Sequence, residues 1–346
     1  MSSTVSIKYI SYVVPCFNED EVIDEFYRRV AQVADQHPAY QFEFLFVNDG
    51  STDDTAEKLN RIAEFDKRVK VLHFARNRGH QTALTAGTDF AQGDLVVTLD
   101  ADLQDPPELL PAILEEIAAG ADVVHMQRRS RSGESWFKLL SARLYYWLMG
   151  RLTKGHTIPE CGDFRAITRP VLQAVRGFRE PHKYLRGTYA MLGFRQAILS
   201  YDRDARYAGS TKYPFLSMLR LATDGVLNFT SSPLHAIMLL SFFSWMTSLV
   251  YLIKALYEHF FLQITVPGWT SVIILMTFFS GILLFALGIV ASYVGRIFEQ
   301  GQQRPAYWLL AARNIDLSLC DTSIPEVRLA NAVLVPRQSR EEEKDF

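Results

Sequence analysis

Apolar positions fall into distinct regimes along the chain. Between residues 9 and 127, short apolar runs alternate with longer segments of helical spacing. Residues 9–15, 42–47, 69–74, 94–99 and 122–126 are compact and rich in β-branched or aromatic side chains, which predicts buried strands. Between the first two, residues 19–35 place Val22, Phe26, Val30 and Val33 on one helical face. Residues 53–66, 80–91 and 106–119 predict further helices. Strands alternating with helices of this length predict parallel βαβ units with right-handed crossovers, an α/β domain with a mostly parallel sheet. No Gly-x-Gly-x-x-Gly follows the first strand and no Gly-x-x-x-x-Gly-Lys-Ser/Thr occurs, so dinucleotide and P-loop readings lose their main support.

From about Ser135 the pattern changes. Trp136, Leu140, Leu144 and Trp147 or Leu148 recur at three- and four-residue spacing, with Lys138, Arg143, Arg151 and Lys154 nearby. A basic, aromatic amphipathic helix over residues 135–152 suits a membrane interface; the same pattern suits an ordinary core-facing helix. A second such segment, residues 213–232, leads into the most apolar part of the chain. Residues 237–253 carry no charge across 17 positions, and residues 272–294 none across 23. A spanning helix needs roughly 20 apolar residues, so two transmembrane helices are expected. The connection, 257–271, holds no Lys or Arg, whereas Lys212 and Arg220 precede the first span and Arg296 and Arg304 follow the second. The positive-inside rule puts both termini in the cytoplasm, and Lys254 can snorkel at the outer end. The expected organisation is a cytoplasmic catalytic domain (1–212), a juxtamembrane amphipathic helix (213–232), a two-span hairpin (233–296) and a cytoplasmic tail (297–346), integral to the inner membrane. The last ten residues have the composition of a disordered end.

Charge and cysteine content exclude more than they identify. A net charge of −2 gives no basic field for nucleic acid. Cys16, Cys161 and Cys320 are odd in number and lack metal-ligand spacing, and residues 1–12 are too polar for a signal peptide, so reduced cytosolic thiols are expected. The mean hydropathy of +0.02 conceals the division along the chain.

The stretch with candidate chemistry is Thr98-Leu99-Asp100-Ala101-Asp102-Leu103-Gln104-Asp105-Pro106-Pro107. It follows a predicted strand, and open α/β sheets bind ligands at the carboxyl ends of their strands. Asp100, Asp102 and Gln104 make a hard oxygen set suited to Mg²⁺ or Mn²⁺ bound together with phosphates; a solvated acidic turn has the same composition. Asp105 is positioned to cap a helix with Pro106, Pro107 and Glu108 in its first turn.

Several blocks, in order, resemble family-2 glycosyltransferases of the GT-A fold, in the polyprenyl-phosphate branch that includes dolichol-phosphate mannose synthases and undecaprenyl-phosphate glucosyltransferases. They are Val13-Val14-Pro15-Cys16-Phe17-Asn18-Glu19, Phe46-Val47-Asn48-Asp49-Gly50-Ser51, Ala75-Arg76-Asn77-Arg78-Gly79 and the Asp100–Pro107 stretch. Gly162-Asp163-Phe164-Arg165, Arg206-Tyr207-Ala208-Gly209-Ser210-Thr211-Lys212-Tyr213 and Tyr293-Val294-Gly295-Arg296-Ile297 complete the set, which covers about residues 7–308. Position 17 is Phe where Tyr is common, and position 48 is Asn where many members have Asp.

The resemblance implies a GT-A domain that binds a nucleotide sugar and a polyprenyl-phosphate acceptor. It assigns Pro15, Phe17, Glu19 and Asp49 to the donor's base and ribose, joined by Asp100 and Ala101, and places Arg128 near the donor phosphates. Asp102 and Gln104 are expected to hold the divalent cation that offsets charge on the leaving diphosphate. Asp163 is the expected base or acceptor-orienting carboxylate. Arg206 and Lys212, flanking a small-residue loop, suit the lipid phosphate, or anionic lipid at a membrane surface. The implied activity is inverting transfer of one sugar, UDP-glucose being the preferred donor, to undecaprenyl phosphate at the cytoplasmic face, by a homo-oligomer. Alternatives are a GDP-mannose-using dolichol-phosphate mannose synthase, a processive polysaccharide synthase, a nucleotidyltransferase and a non-enzymatic membrane scaffold. Against the processive synthase, the chain lacks a Gln-x-x-Arg-Trp segment; against the nucleotidyltransferase, Cys16-Phe17-Asn18-Glu19 is no Gly-rich phosphate loop.

Overall fold

The computed structural model describes residues 6–128, 161–178, 185–202, 232–261, 268–302, 304–315 and 332–334. The chain divides into two compact units. One comprises Met1–Gly150, Lys154–Pro214 and Arg304–Phe346; the other comprises Arg151–Thr153 and Phe215–Gln303.

The first unit is built on one mixed sheet. Strands β1 (Tyr9–Cys16), β2 (Gln41–Asn48), β3 (Val69–Phe74) and β4 (Leu95–Thr98) are parallel, in the spatial order β3-β2-β1-β4. Helices α1 (Ile23–Asp35), α2 (Thr55–Phe65) and α3 (His80–Phe90) connect them. Successive side chains on a strand face opposite ways, and both faces are covered here. Tyr12, Val14, Phe44 and Phe46 pack with Phe26 and Val30 of α1, while Val13, Leu45 and Val47 pack with Ala83, Leu84 and Ala86 of α3. This double burial explains why the strands read as continuous apolar runs rather than alternating ones.

Beyond β4 the sheet departs from the simple parallel expectation. Strand β5 (Val123–Arg128) is present, but β6 (Cys161–Thr168) lies between it and β4, antiparallel to both. Strand β7 (Gln196–Tyr201) adds in parallel beyond β5. At the other edge β8 (Tyr307–Arg313) pairs antiparallel with β3, and β9 (Ala332–Leu334) pairs parallel with β8. Part of the segment expected as a tail therefore belongs to the sheet. Tyr307 stacks on Phe74 at 5.1 Å, and its hydroxyl donates to Asp89. The helix expected over 106–119 is a 3₁₀ turn, Pro107–Leu109, followed by α4 (Leu110–Ala118). Asp105 does not cap it: Pro106 occupies the cap position, and the Asp105 carboxylate is taken up by Tyr201. Helices α5 (Arg169–Gly177) and α6 (Leu185–Met191) complete the described part of this unit.

The second unit contains two long helices packed on each other, α7 (Ser232–Phe260) and α8 (Trp269–Gly301). Among the described residues one stretch, Phe278–Gly301, is long and apolar enough to cross a membrane, and none of it is buried. A shorter apolar stretch, Leu239–Tyr251, lies in α7. Large apolar side chains on both helices are exposed, among them Phe243, Trp245, Ile253, Leu283, Leu284 and Phe285. The amphipathic segments 135–152 and 213–231 lie outside the described residues.

Candidate active site

The site forms where β1, β2 and β4 end. Pro15 is buried opposite Val47, two residues before the partly exposed Phe17. The chain then turns through Asn18, at φ +55°, whose side-chain oxygen accepts from the Thr52 amide. The Glu19 amide donates to Thr55 Oγ1 at 2.8 Å, so the β1 and β2 loops hold each other. Gly50, at φ +68°, packs so closely on the Arg76–Asn77 backbone that a methyl group would stand 2.6 Å from the Arg76 carbonyl carbon. Only glycine serves both needs.

The neighbouring polar residues are engaged by the protein itself. Asp49 is buried, and its two oxygens accept the Arg78 and Gly79 amides at 2.6 and 2.8 Å, fixing the entry to α3. Burial pushes its carboxyl above the ordinary range, against the pull of these amides. Asn48 accepts from the Ser51 amide and donates to His73 Nδ1 at 3.0 Å, while His73 Nε2 bonds Asn60 Oδ1 at 3.1 Å. This chain of bonds requires a neutral imidazole, and burial, aided by Arg313, pushes His73 down to about 4.

In the loop after β4, Ala101 and Leu103 turn into the core. Leu103 has φ +60°, an unusual conformation for a branched side chain and of the kind that clusters at functional sites. Asp102 Oδ1 accepts the Gln104 amide at 3.2 Å, and the Gln104 side chain is buried. Asp100 Oδ1 is buried and makes no hydrogen bond; His80 Nε2 lies 3.4 Å away. Burial raises the Asp100 carboxyl against the pull of His80, with Asp163 and Asp102 adding to the rise.

Gly162-Asp163-Phe164-Arg165 lies on β6, not in a turn, and the strand's alternation gives each residue a separate task. Asp163 is only 5% exposed; its Oδ2 meets His80 Nε2 at 3.2 Å and Gln81 Nε2 at 3.1 Å. Arg165 is fully buried, donates to the Gly162 carbonyl, lies 3.7 Å from Asp163 Oδ1 and stacks at 4.5 Å on Tyr189. On the opposite face, Phe164 meets the Tyr201 ring edge-on at 5.6 Å. Gly162 leaves room for Arg128, whose Nη2 would be 3.2 Å from a methyl group there.

Asp100, Asp163 and Arg128 are thus brought into one neighbourhood, with Pro15, Phe17, Glu19 and Asp49 on the adjoining loops. Arg206 and Lys212 lie outside the described residues. Sequence reasoning missed His80, which bridges Asp100 and Asp163, together with Gln81, Tyr201 and the true setting of Asp105. His80 and Gln81 directly follow the Ala75–Gly79 block at the head of α3, a position that could have flagged them. Tyr201 ends a strand with weak patterning and gave no signal.

A divalent cation fits the residues present. Asp100 offers a buried oxygen without a hydrogen bond, Asp102 is close in sequence, and every donor is an oxygen of the hard type that Mg²⁺ and Mn²⁺ take. No group of three or more His, Cys, Asp or Glu side chains that could hold a metal ion occurs among the described residues. A few oxygen donors of this kind suit an ion that completes its shell with a substrate's phosphates.

Carboxylates from two elements and an arginine gather where the strands end, the place at which open α/β sheets bind ligands. Comparison supplies the class: residues 11–176 match glycosyl transferase family 2. Glycosyltransferase YkcC of Bacillus subtilis is 41% identical over 86% of this chain and 92% of its own length. The bactoprenol glucosyl transferase of Shigella phage SfV is 34% identical over 86% and 97%, and the prophage homologue of that enzyme in Escherichia coli K12 is 33% identical over 86% and 97%. The chain belongs to glycosyltransferase family 2 and is a glycosyl-transferring enzyme of the GT-A fold.

Proposed function

We propose that this enzyme transfers glucose from UDP-glucose to undecaprenyl phosphate at the cytoplasmic membrane face, inverting the anomeric centre. The observation that carries this reading is near-full-length similarity to proteins named bactoprenol glucosyl transferases. An oxygen of the lipid phosphate attacks the anomeric carbon as the bond from that carbon to the diphosphate breaks, leaving UDP and the lipid-linked sugar. A phosphate monoester is already largely dianionic at neutral pH, so the site's main task is attraction and aim rather than proton removal. Arg206 and Lys212 hold the lipid phosphate, Asp163 orients it, and Arg128 receives charge developing on the diphosphate. Pro15, Phe17, Glu19, Asp49, Asp100 and Ala101 seat the nucleotide. Asp102 and Gln104, joined by the Asp100 oxygen that has no hydrogen bond, would hold Mg²⁺ or Mn²⁺, which would offset charge on the diphosphate.

A two-span hairpin draws support from connectivity. Strands β7 and β8 belong to one sheet, and a soluble sheet stays on one side of a bilayer. A chain that leaves the sheet after β7 and re-enters at β8 therefore crosses an even number of times. The basic residues flanking α7 and α8 favour the cytoplasm for that side, and the exposed apolar helices suit self-association into a homo-oligomer within the membrane.

The test is direct. Purified protein is incubated with Mg²⁺, a panel of labelled sugar nucleotides and undecaprenyl or dolichyl phosphate, and the organic phase is counted. Label from UDP-glucose in undecaprenyl phosphate is the expected result; label from another donor only, or none from any, overturns the reading. Excess EDTA should abolish the transfer.

A further inference from the structure

Asp105 is the one carboxylate of the Asp100–Pro107 stretch that the proposed chemistry leaves without a task, and it is among the most buried. Its environment is specific. The Tyr201 hydroxyl donates to Asp105 Oδ1 at 2.5 Å, and Arg128 Nε donates to the same hydroxyl at 3.3 Å. Arg128 Nη2 lies 3.7 Å from that carboxylate oxygen. A phenol can accept one hydrogen bond while donating another, so Tyr201 relays between guanidinium and carboxylate. The three residues come from three separate segments, the loop after β4 and the ends of β5 and β7, and Arg128 and Tyr201 are register partners.

The burial is graded. Asp105 and Tyr201 are enclosed, whereas the Arg128 side chain is 25% exposed. Phe164 fixes the Tyr201 ring from one side, and Gly162 withholds the side chain that would crowd Arg128. A guanidinium on a flexible stem loses affinity for phosphate unless something else holds its geometry. We propose that Asp105 and Tyr201 are positioning residues that aim Arg128 at the donor's diphosphate. This rests on the donor-phosphate role given to Arg128 above. The enclosed carboxylate anchors the guanidinium by its Nε edge and leaves its outward edge for the ligand. In this arrangement the acidic loop serves the donor twice, through Asp100 and Asp102 at the crevice and through Asp105 from behind the arginine.

The experiment compares binding of the product nucleoside diphosphate with that of the corresponding monophosphate, by calorimetry on the full-length protein. Asp105→Asn keeps the shape and an acceptor for Tyr201 but removes the charge. Tyr201→Phe keeps the ring against Phe164 but removes the relay, and it carries the test should Asp105→Asn fail to fold. Both should weaken diphosphate binding about tenfold, the scale of one charge-assisted hydrogen bond, with monophosphate affinity and melting temperature nearly unchanged. Arg128→Ala should do the same or more. If Arg128→Ala removes the discrimination while Asp105→Asn and Tyr201→Phe leave it intact, the positioning role is overturned. Equal weakening of both nucleotides, or a matching fall in melting temperature, overturns it in favour of a purely structural role. If Arg128→Ala itself leaves the discrimination intact, Arg128 has no donor-phosphate role, and both readings fall.

Discussion

Asn48 bears on the protonation of its neighbour His73, which burial holds neutral. Its amide donates to His73 Nδ1, and a carboxylate there would accept a proton instead. Asn48→Asp should therefore raise the His73 pKa from about 4 to above the ordinary 6.5, as followed by NMR titration of the imidazole. An unchanged pKa would mean that burial alone sets it. The same scale shows what the sequence could disclose. Asp100 and Asp102 stand out in the sequence because two carboxylates at a strand end are a local pattern. Asp105 was misread as a helix cap because its real partners, Tyr201 and Arg128, are distant in sequence. His80 was missed, despite its place directly after the Ala75–Gly79 block, because its meaning lies in the distance to Asp163, contributed by a strand far along the chain.

At the scale of elements, the doubly covered strands β1 to β5 were legible from apolar runs, and α7 and α8 from uncharged stretches. Strand β6 was not, because Gly162, Asp163 and Arg165 interrupt its apolar pattern for the sake of the site. Strand β8 was missed because it follows the long helices, where a tail was the simplest expectation. The alternation of β6 makes its own prediction. Gly162→Ala places a methyl group against Arg128, the movable end of a side chain, so folding should lose less than about 1 kcal/mol. Sugar transfer should fall at least tenfold if Arg128 is displaced from the donor. Melting curves and initial rates on the same preparation separate the two, and a stable, fully active Gly162→Ala would show that the close approach is incidental.

In the catalytic unit the buried histidines oppose acid. His73 and His125 are held neutral, pushed by burial from 6.5 to about 4 and about 3. Below pH 6.5 the unfolded chain takes up protons that the folded one refuses, so their contribution to stability rises with pH across this window and is lost as pH falls through it. Asp49, Asp100 and Asp105, raised by burial, act the opposite way, so the histidine contribution is read by difference. Between pH 6.5 and 4, His125→Gln should lose less melting temperature than the parent protein. Identical profiles would contradict the neutral assignment of His125.

The return of the chain to β3 also sets an order of events during synthesis. Arg78 packs at 4.0 Å on the Trp308 ring, and the Ala75 amide donates to the Trp308 carbonyl. Trp308 leaves the ribosome only after α7 and α8 have been made, so until then the β3 edge is open and the loop carrying Arg78 lacks its cover. A nascent chain stalled before residue 304 should remain sensitive to protease near Arg76, while one released beyond residue 315 becomes resistant. The loop whose Arg78 and Gly79 amides fix Asp49 would then gain its cover only once the long apolar helices exist.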